Sequence, residues 1–244
     1  MPVDAIEYQR VSWEHTRLRL DQFWTASESP HHSIIGLTGS GKSYLVRHGI
    51  LPLATWDRVL IIDVKGDDPT LRGLGKPVTR IPHHIWRSSR QLMQEKRPKD
   101  NWFRLVVTDQ GLKAAHAQVH EAFKRVWTEG EWVVVIDEVR ALVDTPSGMG
   151  LGHKGWWTQL MLRGRSKGIS VINLTQEPSW VPSAFYTQPS FLWLGRVEDE
   201  RAHKRISEVG ASRGLMPVLP TIPKRKFLYT DNLEDERVFH LTGV

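Results

Sequence analysis

The residues with the clearest chemical meaning are Gly36-Leu37-Thr38-Gly39-Ser40-Gly41-Lys42-Ser43. They fit the spacing G-x-x-x-x-G-K-[ST] without exception. Gly39 and Gly41 let the backbone bend so that successive N–H groups point inward at phosphate oxygens. A helix starting near Lys42 adds its positive end. Lys42 supplies a cation to the β and γ phosphates, and the Ser43 hydroxyl can ligate Mg²⁺. Gly36, Thr38, Ser40 and Tyr44 complete the set expected around bound ATP. The pattern requires a strand before it and a helix after it. Ser33-Ile34-Ile35-Gly36 supplies the first, and the stretch from Lys42 to about Ile50, stopped near Pro52, supplies the second.

A second group lies about a hundred residues further on. Val133-Val134-Val135-Ile136-Asp137-Glu138 is an apolar strand ending in two carboxylates. Asp137 at the strand's C-terminal end can hold Mg²⁺, directly or through water, and Glu138 is placed to orient or deprotonate an attacking water. Such a doublet favours hydrolysis over transfer to a small acceptor. Ile169 to Leu174 forms a third strand, with Thr175-Gln176 at its end. Ligands bind at that end in open α/β sheets, so Gln176 could contact the γ-phosphate or the water.

The elements that must position these groups alternate along the chain. Strands are expected at 33–36, 58–64, 102–108, 132–136, 169–174 and 191–195, with helices at 112–127, 156–167 and 198–209. The β-branched runs are continuous, as in strands covered on both faces. A hairpin is expected from 226–230 and 236–241 across Asp231-Asn232. Residues 65–100 read as a long irregular excursion with one short helix near 88–95, and 144–155 as a glycine-rich loop. The fold class is α/β: a P-loop NTPase of the ASCE, RecA-like kind, with a mainly parallel sheet and helices on both faces. Residues 31–244 form the ATPase domain, and residues 1–30 an N-terminal appendage.

Composition bounds the rest. The 244 residues contain no cysteine, which excludes a disulfide scaffold, a thiolate zinc site and a cysteine nucleophile. The charge balance of +6 leans toward a polyanionic partner. Eleven tryptophans against four tyrosines leave core, interface and base-stacking roles open. Asp4, Glu7, Arg10, Glu14, Arg17, Arg19 and Asp21 interrupt any leader-like apolar stretch, and no apolar run is long enough to span a bilayer. The chain therefore reads as soluble and cytoplasmic, without membrane insertion.

Together these elements resemble the FtsK/HerA superfamily of ring-forming DNA-pumping ATPases, over most of residues 33–230. Ile62-Asp63-Val64-Lys65-Gly66-Asp67 is similar to the family's Asp-Pro-Lys-Gly segment, with Val64 replacing proline. Arg163-Gly164-Arg165-Ser166-Lys167-Gly168-Ile169 is similar to its Arg-x-x-Gly-Ile lead. Thr175-Gln176-Glu177-Pro178-Ser179 resembles its Thr-Gln-Arg-Pro-Ser, with Glu177 where arginine is usual. Phe191 to Arg205 and Phe227-Leu228-Tyr229 resemble later segments of the same fold.

The resemblance implies a subunit of a homo-oligomeric ring, typically a hexamer, with ATP at subunit interfaces and an arginine finger supplied in trans. Arg165 matches the motif arginine, and Arg163 and Arg196 are alternatives. The compact size looks most like viral and phage genome-packaging ATPases, with double-stranded DNA as partner and capsid or portal proteins as further ones. In that setting the chain would work in the host cytoplasm or at a packaging vertex. The alternatives are a conjugative, plasmid or defence-associated HerA-like ATPase, and a P-loop switch or kinase that does not move DNA.

A ring of this kind grips the phosphate backbone through basic and polar groups. His153 and Lys154, ending the glycine-rich loop, are candidates, as is Lys65 in the excursion. Trp156 and Trp157 could pack on DNA or on a neighbouring subunit. Lys224-Arg225-Lys226 reads as a solvated basic tail. His116 and His120 have helical metal-site spacing, but Ala117 stands where glutamate is needed, so they read as helix-surface histidines. The doublets His31-His32 and His83-His84 have no third ligand at a recognisable spacing.

Overall fold

A computed structural model describes residues 8–64, 66, 68–82, 101–143, 149–150, 155–208, 213–231 and 239–244. Among them, ten strands form one sheet: β1 (Gln9–Arg10), β2 (His32–Ile35), β3 (Arg58–Asp63), β4 (Lys76–Val78), β5 (Trp102–Val106), β6 (Trp132–Ile136), β7 (Ser170–Thr175), β8 (Phe191–Leu194), β9 (Lys226–Asp231) and β10 (His240–Gly243). Their spatial order is β1-β10-β9-β8-β2-β7-β6-β3-β5-β4. Every pairing is parallel except those of β9 with β8 and β10. This is the mainly parallel α/β sheet expected from the alternation.

The central strands β2, β6, β7 and β8 are buried along their whole length. Their alternate side chains enter two cores. Trp132, Val134 and Ile136 join one, against α3 (Leu112–Glu129), α4 (Trp156–Arg163), α5 (Ala184–Thr187) and α6 (Glu200–Glu208). Val133 and Val135 join the other, against α1 (Trp13–Phe23) and the helical run after the phosphate loop. The helix α3 follows its apolar spacing, burying Ala115, Val119, Ala122, Phe123 and Val126. It stops at Gly130, whose φ is +65°, and a Cβ there would meet the Lys167 carbonyl oxygen at 2.7 Å.

From residue 8 onward, the segment read as an N-terminal appendage pairs with the sheet and packs on its core. Strand β1 pairs with β10, Trp24 is fully buried and donates from Nε1 to Ser170 Oγ at 2.9 Å, and Arg19 makes a forked contact with Asp231. The helix expected over 42–50 is α2 (Lys42–Tyr44) followed by a π-helical run, Leu45–Ile50, and a 3₁₀ turn, Leu51–Leu53. The Trp13 ring packs against Gly49 so closely that a Cβ would stand 2.8 Å from it, and Pro52 ends the run. The excursion after β3 contributes an edge strand, β4. The helix expected near 88–95 lies outside the described residues, as does most of the loop 144–155.

Candidate nucleotide-binding site

Strand register brings the three chemical groups to one rim. Ile35 at the end of β2 pairs with Thr175 at the end of β7, and Ile136 at the end of β6 pairs with Asn173. Gly36, Gln176 and the Asp137-Glu138 doublet therefore leave the sheet side by side, at the C-terminal ends of parallel strands. The loop between β2 and α2 turns through Gly39 (φ +77°) and Gly41 (φ +105°), conformations that favour glycine. Gly36 is needed for a different reason, because a Cβ there would stand 2.7 Å from Ser40 Oγ. Ser40 is buried, and its hydroxyl has no hydrogen-bond partner among the described residues.

The side chains of the loop and the two strand ends form one polar network. Lys42 Nζ donates to the carbonyls of Gly36 at 2.7 Å and Leu37 at 3.1 Å. The Thr38 hydroxyl donates to Gln176 Oε1. The Gln176 backbone N–H donates to Glu138 Oε2 at 3.4 Å, and Thr175 Oγ1 donates to Glu138 Oε1 at 2.9 Å. Arg140 N–H adds a third donor to Glu138 at 3.4 Å. Asp137 and Glu138 are both buried, at 3% and 8% exposure. A carboxylate this enclosed is held in one orientation by its donors. The hard oxygens of Ser43, Asp137 and Asp68 are the donor chemistry that Mg²⁺ takes, so the residues present fit that ion.

No protein-family model matches the chain, and no curated protein sequence matches it. Solved structures do. The genome packaging NTPase B204 from Sulfolobus turreted icosahedral virus 2 is 17% identical, with a TM-score of 0.60 over 87% of this chain and 96% of that one. The fold is that of a P-loop NTPase. Other solved NTPase-fold neighbours are VirB4 of Thermoanaerobacter pseudethanolicus, 13% identical with a TM-score of 0.57 over 86% of this chain and 88% of that one, and the bacterial conjugative coupling protein TrwBdeltaN70, 12% identical with a TM-score of 0.60 over 97% and 92%.

Two residues of this NTPase fold carry contacts that sequence reasoning missed. Asp68, in the turn after β3, accepts from Ser43 Oγ at 3.0 Å and from Thr70 N–H at 2.7 Å. Its signal was a carboxylate just past the C-terminal end of a central strand. Arg225, read as part of a solvated tail, packs on the phosphate loop. Its N–H donates to the Ser40 carbonyl at 2.8 Å, and its guanidinium lies 4.0 Å from the Tyr44 ring centre.

The three arginines considered as fingers lie in different places. Arg196 follows β8, and its carbonyl accepts from Leu37 N–H at 2.9 Å, so it borders its own phosphate loop. Arg163 ends α4, and Arg165 sits in the following 3₁₀ turn, Gly164–Lys167, ahead of β7 and so toward the opposite rim. Arg165 Nε donates to the Glu28 carbonyl at 3.1 Å. The DNA candidates Lys65, His153 and Lys154 lie outside the described residues. Trp157 is not available to a partner: it is fully buried and donates to Asn173 Oδ1 at 2.9 Å. Trp156 donates to His120 Nε2 at 3.2 Å. Among the described residues no helix is long and apolar enough to cross a membrane.

Proposed function

We propose that this chain is an ATPase of the FtsK/HerA kind that couples ATP hydrolysis to movement along double-stranded DNA, as one subunit of a homo-oligomeric ring, a hexamer by analogy. The observation that carries the reading is the hydrogen-bonded run from Thr38 through Gln176 to Glu138. It joins the phosphate loop to a buried acid on the same rim, as water-driven cleavage of a γ-phosphate requires.

In this reading the loop N–H groups from Gly36 to Ser43 cradle the phosphates and Lys42 pairs with the β and γ oxygens. Ser43 and Asp137 would hold Mg²⁺, which neutralises phosphate charge when bound. Glu138 accepts the proton of the attacking water, with its carboxylate steered by Thr175 and the Gln176 N–H. The Gln176 side chain, in contact with Thr38, senses the γ end. Arg165 of a neighbouring subunit is the proposed finger, with Arg163 and Arg196 as alternatives; its place ahead of β7, away from its own loop, suits supply in trans. Lys65, His153 and Lys154 are the proposed DNA contacts.

The packaging role, with capsid or portal partners in the host cytoplasm or at a packaging vertex, draws on the viral NTPase neighbour. A conjugative role draws on the two conjugation neighbours. The experiment common to both is the ATPase rate with and without duplex DNA at two salt concentrations. Stimulation by DNA that weakens as salt rises is the expected result, because backbone gripping releases counterions. ATP turnover indifferent to DNA at both salts would leave a switch in place of a motor.

A further inference from the structure

The phosphate loop has two flanks. From β2, the strands β7 and β6 lie to one side, and β8 and β9 to the other. Glu138 and Gln176 occupy the first side, which is therefore the γ end of a bound triphosphate. Ser43 takes the metal and Lys42 the β and γ oxygens in a loop of this pattern. The nucleoside must then leave past the residue after Ser43, toward β8 and β9. Tyr44 is that residue, and Arg225 immediately precedes β9.

The two side chains are stacked, with the guanidinium 4.0 Å from the phenol ring centre. The pair is also anchored to the loop. Arg225 N–H donates to the Ser40 carbonyl at 2.8 Å, and a Cβ on Gly41 would touch Arg225 Cγ and Cα at 3.0 and 3.1 Å. Arg225 adopts φ +62°, an unusual conformation for a side chain of its size. The backbone thus turns sharply to bring an otherwise exposed arginine onto the phosphate loop. A planar guanidinium with one face on tyrosine offers the other to a second π-system.

We propose that Arg225 and Tyr44 form a stacking platform for the base of a purine nucleoside triphosphate. This rests on the nucleotide reading above and adds the subsite that selects the base. Stacking reads a ring face and not a hydrogen-bonding edge, so the platform prefers purines over pyrimidines and discriminates weakly between adenine and guanine.

Isothermal titration of the full chain with ATPγS and with inorganic tripolyphosphate, both with Mg²⁺, tests it. The wild type should bind ATPγS more tightly than tripolyphosphate. Tyr44→Ala and Arg225→Ala should each weaken ATPγS about tenfold while tripolyphosphate affinity holds within about twofold. Arg225→Lys, which keeps the charge but not the plane, should lose several-fold on ATPγS alone, and Tyr44→Trp should retain it. Parallel loss of both ligands would overturn the platform and make Arg225 a phosphate or loop-shaping residue. Unchanged ATPγS affinity in both alanine variants would overturn it too, as would a wild type holding the two ligands equally. A wild type that bound neither would remove the nucleotide reading itself, and the platform with it.

Discussion

On the β7–β6 flank of the phosphate loop, the polar groups are delivered by strand ends. Register sets Thr175 beside Ile35, and Gln176 and Glu138 follow from it. On the β8–β9 flank, the main contact comes from a turn: Arg225 reaches Ser40 and Tyr44 through a backbone at positive φ. On the first flank each group follows directly from the end of a buried parallel strand. The second can be altered by one side chain without disturbing a strand. In the proposed reading, the hydrolytic step falls to the first flank and selection of the base to the second.

Glu138→Gln breaks the first flank where it matters most. The amide keeps the size and can still accept from Thr175 Oγ1, but it cannot take a proton from water. ATP turnover should fall by at least a hundredfold, the range for losing a general base, with nucleotide affinity retained. Single-turnover hydrolysis alongside binding titration checks this; a rate within tenfold of wild type would take the role from Glu138.

The opposite end of β2 is where a pH dependence of stability is expected. His31 and His32 are fully buried there. His31 is pulled down to about 4, first by burial and then by the positive charge of Arg165, and His32 to about 3, by burial and by its neighbour His31. Trp193 Nε1 donates to His32 Nδ1 at 3.2 Å, and Val171 N–H donates to His31 Nδ1 at 3.1 Å, which fits neutral rings. Both values lie below the unfolded 6.5, so the unfolded chain binds more protons as pH falls below that value. The contribution of the two neutral rings should be fully present above about pH 6.5. It falls below that, approaching about 1.4 kcal/mol per pH unit for each histidine, until the folded values near 4 and 3 are passed. Urea unfolding between pH 7.5 and 5 measures the slope, and His32→Asn should flatten it. A flat wild-type profile would mean that the rings are not held neutral.

Thr175→Val removes one donor to Glu138 and keeps the side chain's shape. Glu138 retains the Gln176 and Arg140 N–H groups, while Glu177 N–H loses its acceptor on Thr175 Oγ1, so the loss should be about 1.5–3 kcal/mol of stability, as for a hydrogen bond to a charged acceptor. The hydrolysis rate should change several-fold, far less than in Glu138→Gln. Equal effects from the two substitutions would show that Thr175 does more than steer.

Legibility in the sequence followed the same division. The strands of the first flank are continuous apolar runs whose ends carry chemistry, so Lys42, Glu138 and Gln176 were visible from pattern alone, and register placed them on one rim. Burial on both faces made the parallel sheet readable as well. What sequence did not show was set by turns and by distant pairing. Arg225 looked solvated because nothing local says that its backbone will fold onto Ser40. Asp68 sits in a stretch without periodicity. How the N-terminal appendage joins the sheet was not readable, because β1 pairs with β10, more than two hundred residues away. Trp157 lay beside a glycine-rich loop, and only the packing of α4 against β7 shows that Asn173 takes its N–H.

The smallest expected effect concerns an ion pair inside the first flank. Arg140, just after the acidic doublet, forms an ion pair with Glu177. Arg140 also lies 5.7 Å from the Trp180 ring centre. The pair ties the turn after β6 to the turn after β7, the two segments that meet at Glu138. Both side chains are part-exposed, so the coupling should be only about 0.2–1 kcal/mol and should shrink with salt. A double-mutant cycle with Arg140→Ala and Glu177→Ala, read by urea unfolding at low and high salt, isolates it. Charge reversal of both residues together should recover most of the coupling if the tie is electrostatic. A coupling well above this range that ignores salt would make the contact a rigid part of this flank.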